Sequence, residues 1–359
     1  MELQVIWFWI IAAMFIGYFV LDGFDFGLGI ALPFVSRDDT DRRILINTIG
    51  PIWDLNETWV ITGGAMLFAA FPEWYSTIFS GAYLVLFLIL LALIARGVSF
   101  EYRHQGTGKA WTDKFDWMIF AGSALPALLW GAAFANIVRG MPMETVEQTV
   151  GSLDYSFGFN YTGTFFDLLN PYALLGGLTT LALFFYHGLI FITRRTDGEL
   201  RERARTMAKW EGLIVAALAI VFLGWTVLAY FSVPGLILTL LAVVCFVGSW
   251  VANLLNKDGL AFLGGALTVV FAVWSLFAAL FPALMRNLTP GGEDLTIWNG
   301  SASDNTLQIM TWAFLCIMPV VLGYQAWTFW TFRKRLRRVD FEENASRAEL
   351  AHADEAVTA

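Results

Sequence analysis

The sequence predicts an all-α integral membrane protein of about nine transmembrane helices, and three observations carry that reading. Hydrophobic residues make up 58% of the 359 and charged residues 14%, against roughly 25% charged in ordinary domains. The apolar residues fall into blocks of about 20 or more, the length needed to cross a hydrocarbon core. The basic residues also sort by side. Of 22 Lys and Arg, all but Arg139 and Arg286 fall on one side of a nine-helix parse. The net charge of −8 therefore describes loops and tail, and says little about nucleic acid or acidic substrates.

Taken in order, the first block, 5–35, follows Met1-Glu2-Leu3-Gln4. That start lacks a basic n-region, and the block is too long for a cleavable signal core, so a retained helix is expected. Blocks at 51–71, 75–96 and 115–139 follow, with Arg37, Arg42, Arg43, Arg96, Arg103, Lys109 and Lys114 in the intervening or flanking segments. The loop 140–167 is acidic or neutral. The next span is 168–192. After it, RRTDGELRERARTMAK, Arg194 to Lys209, reads as a helical extension whose alternating charges lie beside headgroups. Spans at 210–231, 235–254 and 259–282 lead to a second long polar loop, 283–305, and a last span at 306–332. The organisation is thus a polytopic membrane domain, 1–332, and a partly disordered tail, 333–359. Because cytoplasmic loops retain Lys and Arg, the N-terminus is expected outside and the tail in the cytoplasm. Trp7, Trp9, Trp74, Trp111, Trp298 and Trp330 lie near span ends, as interfacial tryptophans do. Cys245 and Cys316 sit inside apolar blocks and read as packing residues.

Four acids lie three or more residues inside the ends of the predicted spans: Asp22 and Asp25 in LDGFDFGLG, and Asp54 and Glu57 in PIWDLNETW. Each pair is spaced by three, which places its members about 60° apart on one helix face. An antiparallel hairpin of the first two spans brings all four toward the same side. An acid at the membrane centre costs about 2.5–3.5 kcal/mol on insertion scales, so these groups are expected to face other helices or water. Desolvation and mutual repulsion favour their neutral forms, which leaves protons available for relay. The plainer reading is that they fix helix packing through hydrogen bonds. Of His104, His187 and His352, only His187 falls within a span, too few for a bis-histidine haem or a copper centre. It reads as a packing histidine. Two function classes remain. A proton-coupled transporter or permease calls for broken helices near the midplane, for which Gly176–Gly177 and Pro126 are weak candidates. An accessory subunit of a membrane enzyme calls for carboxylates near one surface, which fits better.

The same residues carry a family resemblance. DGFDFGLG, then RDDTDRRILINTIGPIWDLNETW, GAMLFAAFP, RGVSFEYR, TGTFFDLLNPYALLGG and LTIWNGSASDNTLQIMTW occur in that order, followed by a basic tail. Together they resemble subunit II of cytochrome bd-type quinol oxidases over most of the chain, most weakly at about 210–280. The resemblance implies two four-helix bundles plus a peripheral helix, in a bacterial cytoplasmic membrane. It implies a subunit of a respiratory quinol:oxygen oxidoreductase that is not catalytic alone. The haem-bearing partner, subunit I, carries haem b and haem d, small accessory subunits can attach, and some members hold a structural quinone in this subunit. No metal ligand is expected here. The resemblance gives Asp54, of the WDxN motif, the proton path, with Asp22 and Asp25 as the family's DGFD acids; Glu57 joins them on position. Trp59 matches a position near the oxygen entrance. Arg96, Glu101 and Arg103 of RGVSFEYR also match, and read as interface anchors. Two departures stand out: Leu55 where a glycine is usual, and Asn299 where an Asp is common, so no role is carried to that position.

Overall fold

The computed structural model describes residues 2–106, 108–150 and 153–342, with the side chains of 146–157 left aside. Helix α1, Leu3–Val35, is 33 residues long, about 50 Å at 1.5 Å per residue. It ends where Pro33 can no longer donate to the ladder and Ser36 N–H closes on the Leu32 carbonyl. The segment between the first two predicted spans then holds a helix of its own, α2, Asp39–Ile49. Its buried positions, Asp41, Ile44, Leu45, Thr48 and Ile49, repeat every three to four residues on one face. The side chain of Asp38 caps it, accepting from Asp41 N–H at 2.8 Å.

That cap gives a pH-dependent prediction. The Asp41 amide, and then the Arg338 guanidinium, hold the Asp38 carboxyl below the usual carboxylate range. Its contribution is therefore complete above the unfolded value of about 4 and is lost as pH falls through the depressed folded value. Asp38→Ala is expected to weaken α2 by about 1 kcal/mol at pH 7. Hydrogen exchange at the Asp41 amide reads this as roughly fivefold faster exchange, and the difference between variant and parent should vanish in acid.

Helix α3, Trp53–Ala70, is followed by α4, Pro72–Gly81, and α5, Tyr83–Tyr102. The span expected at 75–96 is thus divided, and its membrane-length part lies further along the chain, at 83–102. Pro72 starts α4 at its first turn. At the junction with α5, a Cβ on Gly81 would lie 2.9 Å from the Tyr161 ring, so the break is packed against the extramembrane hairpin. Helix α6, Lys109–Arg139, follows, bounded by Gly108 and Gly140, both at positive φ. The loop 140–167 contains that hairpin, β1, Met143–Val150, and β2, Leu153–Tyr161, paired antiparallel, then a 3-10 turn at Phe165–Leu168. Helix α7, Pro171–Arg195, starts on Asn170, whose side chain accepts from Ala173 N–H. Helix α8, Gly198–Ala229, absorbs the charged extension into one 32-residue helix. Helices α9, Val233–Leu254, and α10, Asp258–Leu280, form a tight pair. A short ladder, β3, Ala283–Met285, with β4, Leu295–Thr296, precedes α11, Asp304–Thr331.

Helices α1, α3, α5 and α6 make one bundle and α7 to α10 a second, with α6 and α1 both packed on α7 across the seam. Helix α11 touches α1 and α3 lightly and is peripheral. Among the described residues eight helices, α1 and α5 to α11, are long and apolar enough to cross a membrane. Helix α3 is 18 residues long and falls below that measure because Asp54, Asn56 and Glu57 occupy its first turns. The all-α membrane architecture expected from the sequence is therefore the architecture found.

The basic end of the bundle is laced with ion pairs. Arg103 reaches Asp116 and Asp39, each at 2.6 Å, and Arg42 reaches Asp116 at 2.9 Å and Asp113 at 3.0 Å. Arg338 pairs with Asp38 at 2.8 Å and Asp41 at 3.3 Å, and Arg335 with Asp258 at 2.8 Å. The start of the expected tail, to residue 342, is thereby held on the bundle, and Leu336 N–H donates to the Arg195 carbonyl. The remainder, 343–359, lies outside the described residues.

Candidate functional site

Helix α1 supplies Tyr18, Asp22 and Asp25, all fully buried or nearly so. Helix α3 brings Asn56 and Glu57 against them, α5 brings Arg96, and α11 brings Gln325. Arg96 Nη2 donates to Asp22 Oδ1 at 2.7 Å and to Glu57 Oε2 at 3.4 Å. The side chains of Arg96 and Asp22 are 0% exposed and that of Glu57 is 19% exposed, so the cluster opens at Glu57. The guanidinium carbon lies 4.3 Å from the centre of the Phe26 ring, a cation–π contact that offsets part of its desolvation. Asn56 Nδ2 donates to Asp25 Oδ2 at 2.8 Å.

The charge count of this group decides its chemistry. Three carboxyls stand around one guanidinium, so its single positive charge can balance only one of them. Polar capacity is also left over. Tyr18 Oη, Asp22 Oδ2, Asp25 Oδ1, and Arg96 Nε and Nη1 are buried with no hydrogen-bond partner among the described residues. Buried polar atoms normally find partners, and a cluster of donors and acceptors left without protein partners is suited to holding and passing protons.

The expected juxtaposition of four carboxyls becomes three. Asp54 is exposed and makes no ion pair or side-chain hydrogen bond among the described residues. The reason is the helix face. Buried Asn56, Gly63, Leu67 and Ala70 define the inward side of α3; Asp54 lies about 160° around from Asn56 and Glu57 about 100°, at 100° per residue. Asp54 instead lines a surface groove with Trp53, Gly97, Val98, Glu101 and Tyr102. The three residues of RGVSFEYR are separated too. Arg96 is the counter-charge of the buried cluster, Arg103 belongs to the ion pairs with Asp39 and Asp116, and Glu101 is exposed beside Asp54. Three participants escaped the sequence reading: Tyr18, Asn56 and Gln325. Asn56 had a signal, since an amide next to two acids in an apolar span needs partners of its own; Gln325, in GYQAW, had none.

Trp59 rests directly on the backbone of α1. A Cβ on Gly17 would fall 2.4 Å from its ring, and the indole lines two apolar clefts shared with Met14, Phe314 and Met318. A third apolar cavity, of about 280 Å³, lies among α6 to α10 and is lined by residues including Trp130, Phe134, Thr180 and Phe222. His187 Nε2 lies 3.1 Å from the Val20 carbonyl oxygen, its ring stacked on Phe262 at 5.2 Å, which is the packing role read for it. Among the described residues no group of three or more His, Cys, Asp or Glu could hold a metal ion.

A two-bundle helical membrane protein with a buried carboxylate–guanidinium cluster and no metal ligand set among its described residues is the class that fold and site define. Residues 3–332 match the family model of cytochrome bd terminal oxidase subunit II. The chain is 40% identical over 340 residues to cytochrome bd ubiquinol oxidase subunit 2 of Bacillus subtilis, covering 93% of this chain and 97% of that protein. It is 32% identical over 379 residues to cytochrome bd-I ubiquinol oxidase subunit 2 of Escherichia coli K12, covering 95% and 97%. The structure of bd oxidase from Geobacillus thermodenitrificans contains a chain of the same fold, with a TM-score of 0.71 at 15% identity over 92% of this chain and 99% of that one. The chain belongs to the cytochrome bd terminal oxidase subunit II family. It is a subunit of an oxidoreductase complex, and the transporter alternative is not favoured.

Proposed function

We propose that this chain is the haem-free half of a bd-type quinol:oxygen oxidoreductase and that it delivers protons from the cytoplasmic side to its haem-bearing partner. The observation that carries this is the buried cluster of Asp22, Asp25, Glu57 and Arg96, enclosed except at the Glu57 end. Protons enter at Glu57 and are held on the carboxyls that Arg96 leaves uncompensated. Asp54, on the outward face of α3 with no partner among the described residues, hands protons across to the neighbouring subunit. Trp59 and the clefts beside it serve oxygen entry, and the cavity among α6 to α10 has the apolar lining that a bound quinone needs. The haems that supply the redox chemistry belong in the partner on this reading, and His187, the one histidine within a membrane span among the described residues, has its Nε2 turned to the Val20 carbonyl. The basic end faces the cytoplasm by the positive-inside rule. Taking protons from that side while quinol protons leave on the other separates charge without a pump.

Asp54→Asn in the assembled complex tests this. An exposed side chain with no partner costs about 0.5 kcal/mol or less to replace, so haem content and yield should match the parent. Oxygen reduction should slow about tenfold or more, as expected when a positioned proton carrier is removed. Parental turnover would sink the proton-path role, and lost haem would show that Asp54 secures the subunit contact instead.

A further inference from the structure

An unbroken run of hydrogen bonds joins an indole to a carboxylate. Trp59 Nε1 donates to Gln325 Oε1 at 3.4 Å, Gln325 Nε2 to Asn56 Oδ1 at 3.0 Å, and Asn56 Nδ2 to Asp25 Oδ2 at 2.8 Å. Asn56 Nδ2 also reaches the Leu21 carbonyl at 3.3 Å. Asn56 and Asp25 are fully buried and Gln325 is nearly so. Three helices are tied together in this way, α11 to α3 and α3 to α1.

The sense of the run is set at its tryptophan end. An indole N–H can donate and cannot accept. Gln325 must therefore present its oxygen to Trp59 and its nitrogen to Asn56. Asn56 in turn must present its oxygen to Gln325 and its nitrogen to Asp25. Neither amide can turn over without setting two donors or two acceptors against each other, and a buried group stranded in this way carries its full desolvation cost. Asp25 Oδ2 is thus held as an acceptor, while Asp25 Oδ1 has no partner among the described residues.

We propose that Asn56 and Gln325 are positioning residues, a polarised amide bridge that fixes Oδ1 as the oxygen on which Asp25 takes up and gives up its proton. The same bridge anchors the Trp59 indole, so the ring that rests on Gly17 and the proton site on α1 are set by one hydrogen-bonded unit. The inference rests on the reading that Asp25 handles protons. It adds which oxygen does so and what holds it. When the proton is on Oδ1, Oδ2 is the carbonyl oxygen and accepts from Asn56; when the proton leaves, Oδ2 still accepts, so the bridge need not rearrange during relay.

The decisive substitution is remote from the carboxyl. Trp59→Phe keeps an aromatic ring but removes the donor that fixes the sense, freeing both amides to turn. In the assembled oxidase with carbon-13-labelled aspartate, Asp25→Asn identifies the Asp25 carbonyl stretch in the infrared by removing it. Trp59→Phe should then split or shift that band, because the proton can sit on either oxygen. Gln325→Met, close in shape and without the amide, should do the same and supplies the answer if the tryptophan variant assembles poorly. A band unmoved in either assembled variant would overturn the bridge. Parental turnover in Asp25→Asn would instead overturn the proton reading while leaving the band shift to report on the bridge.

Discussion

Arg96→Met is expected to destabilise the protein by about 3–5 kcal/mol, the cost of removing one partner from a buried charge pair. Asp22 Oδ1 has Arg96 as its hydrogen-bond partner and Glu57 shares the same nitrogen, with Asp22 wholly out of solvent. Without the guanidinium, three carboxyls remain in an apolar bundle, and helices α1, α3 and α5 lose one buried ion-pair contact shared by all three. The solubilised complex should melt well below the parent, and the yield of assembled oxidase should fall. A second variant separates scaffold from chemistry. Arg96→Met with Asp22→Asn removes both charges, and replacing a buried pair by neutral groups of similar volume is often close to neutral. The double variant should recover most of the lost stability. If its turnover also recovers, Asp22 acts as scaffold; if stability returns and turnover does not, Asp22 carries protons. Parental melting of the single variant would show that the pair contributes nothing.

The second large effect concerns Gly27, in the same stretch of α1 as Asp22, and the glycine of α7 that it meets. A Cβ on Gly27 would fall 1.8 Å from the Phe184 carbonyl oxygen and 2.7 Å from Gly188 N, and one on Gly188 would fall 2.2 Å from Gly27 C. Helices α1 and α7 therefore cross backbone against backbone, the close approach that small residues permit in membranes. No side-chain rotation can relieve an added methyl there, so Gly27→Ala must push the helices apart. The expected loss is about 3 kcal/mol, the upper part of the range for overpacked sites. Because α1 also carries Asp22 and Asp25, the shift should disturb the cluster as well. Gly224→Ala on α8, where an added Cβ meets nothing within 4 Å, is the control and should leave melting unchanged or raise it. Equal behaviour of the two variants would mean that the α1–α7 crossing is not tight.

These two sites show how unevenly the sequence discloses its structure. The membrane spans were legible because hydrocarbon imposes one simple condition, length and apolarity, that each segment meets by itself. The same test misplaced the third span, since the break at Ala82 lies where Gly81 meets Tyr161 from a distant hairpin. Helix α2 was passed over because its apolar face is short and interrupted by charge. The hairpin at β1 and β2 lies in a loop whose composition has no strong period.

At the site, the sequence by itself determined which residues were expensive. Asp22, Asp25, Glu57 and Asp54 each stood in an apolar run, and the cost of an acid there is a property of the residue and its solvent. Tertiary structure decided what offsets that cost. Arg96 lies 74 residues beyond Asp22 and Gln325 lies 269 beyond Asn56, and no local spacing announces such pairs. The same packing turned Asp54 outward, because the face of α3 that meets α1 is chosen by Asn56, Gly63 and Ala70 and not by the acids. Desolvation is a one-body quantity and can be read along a chain. Pairing depends on which helices meet and at what rotation, so it exists only in the folded bundle.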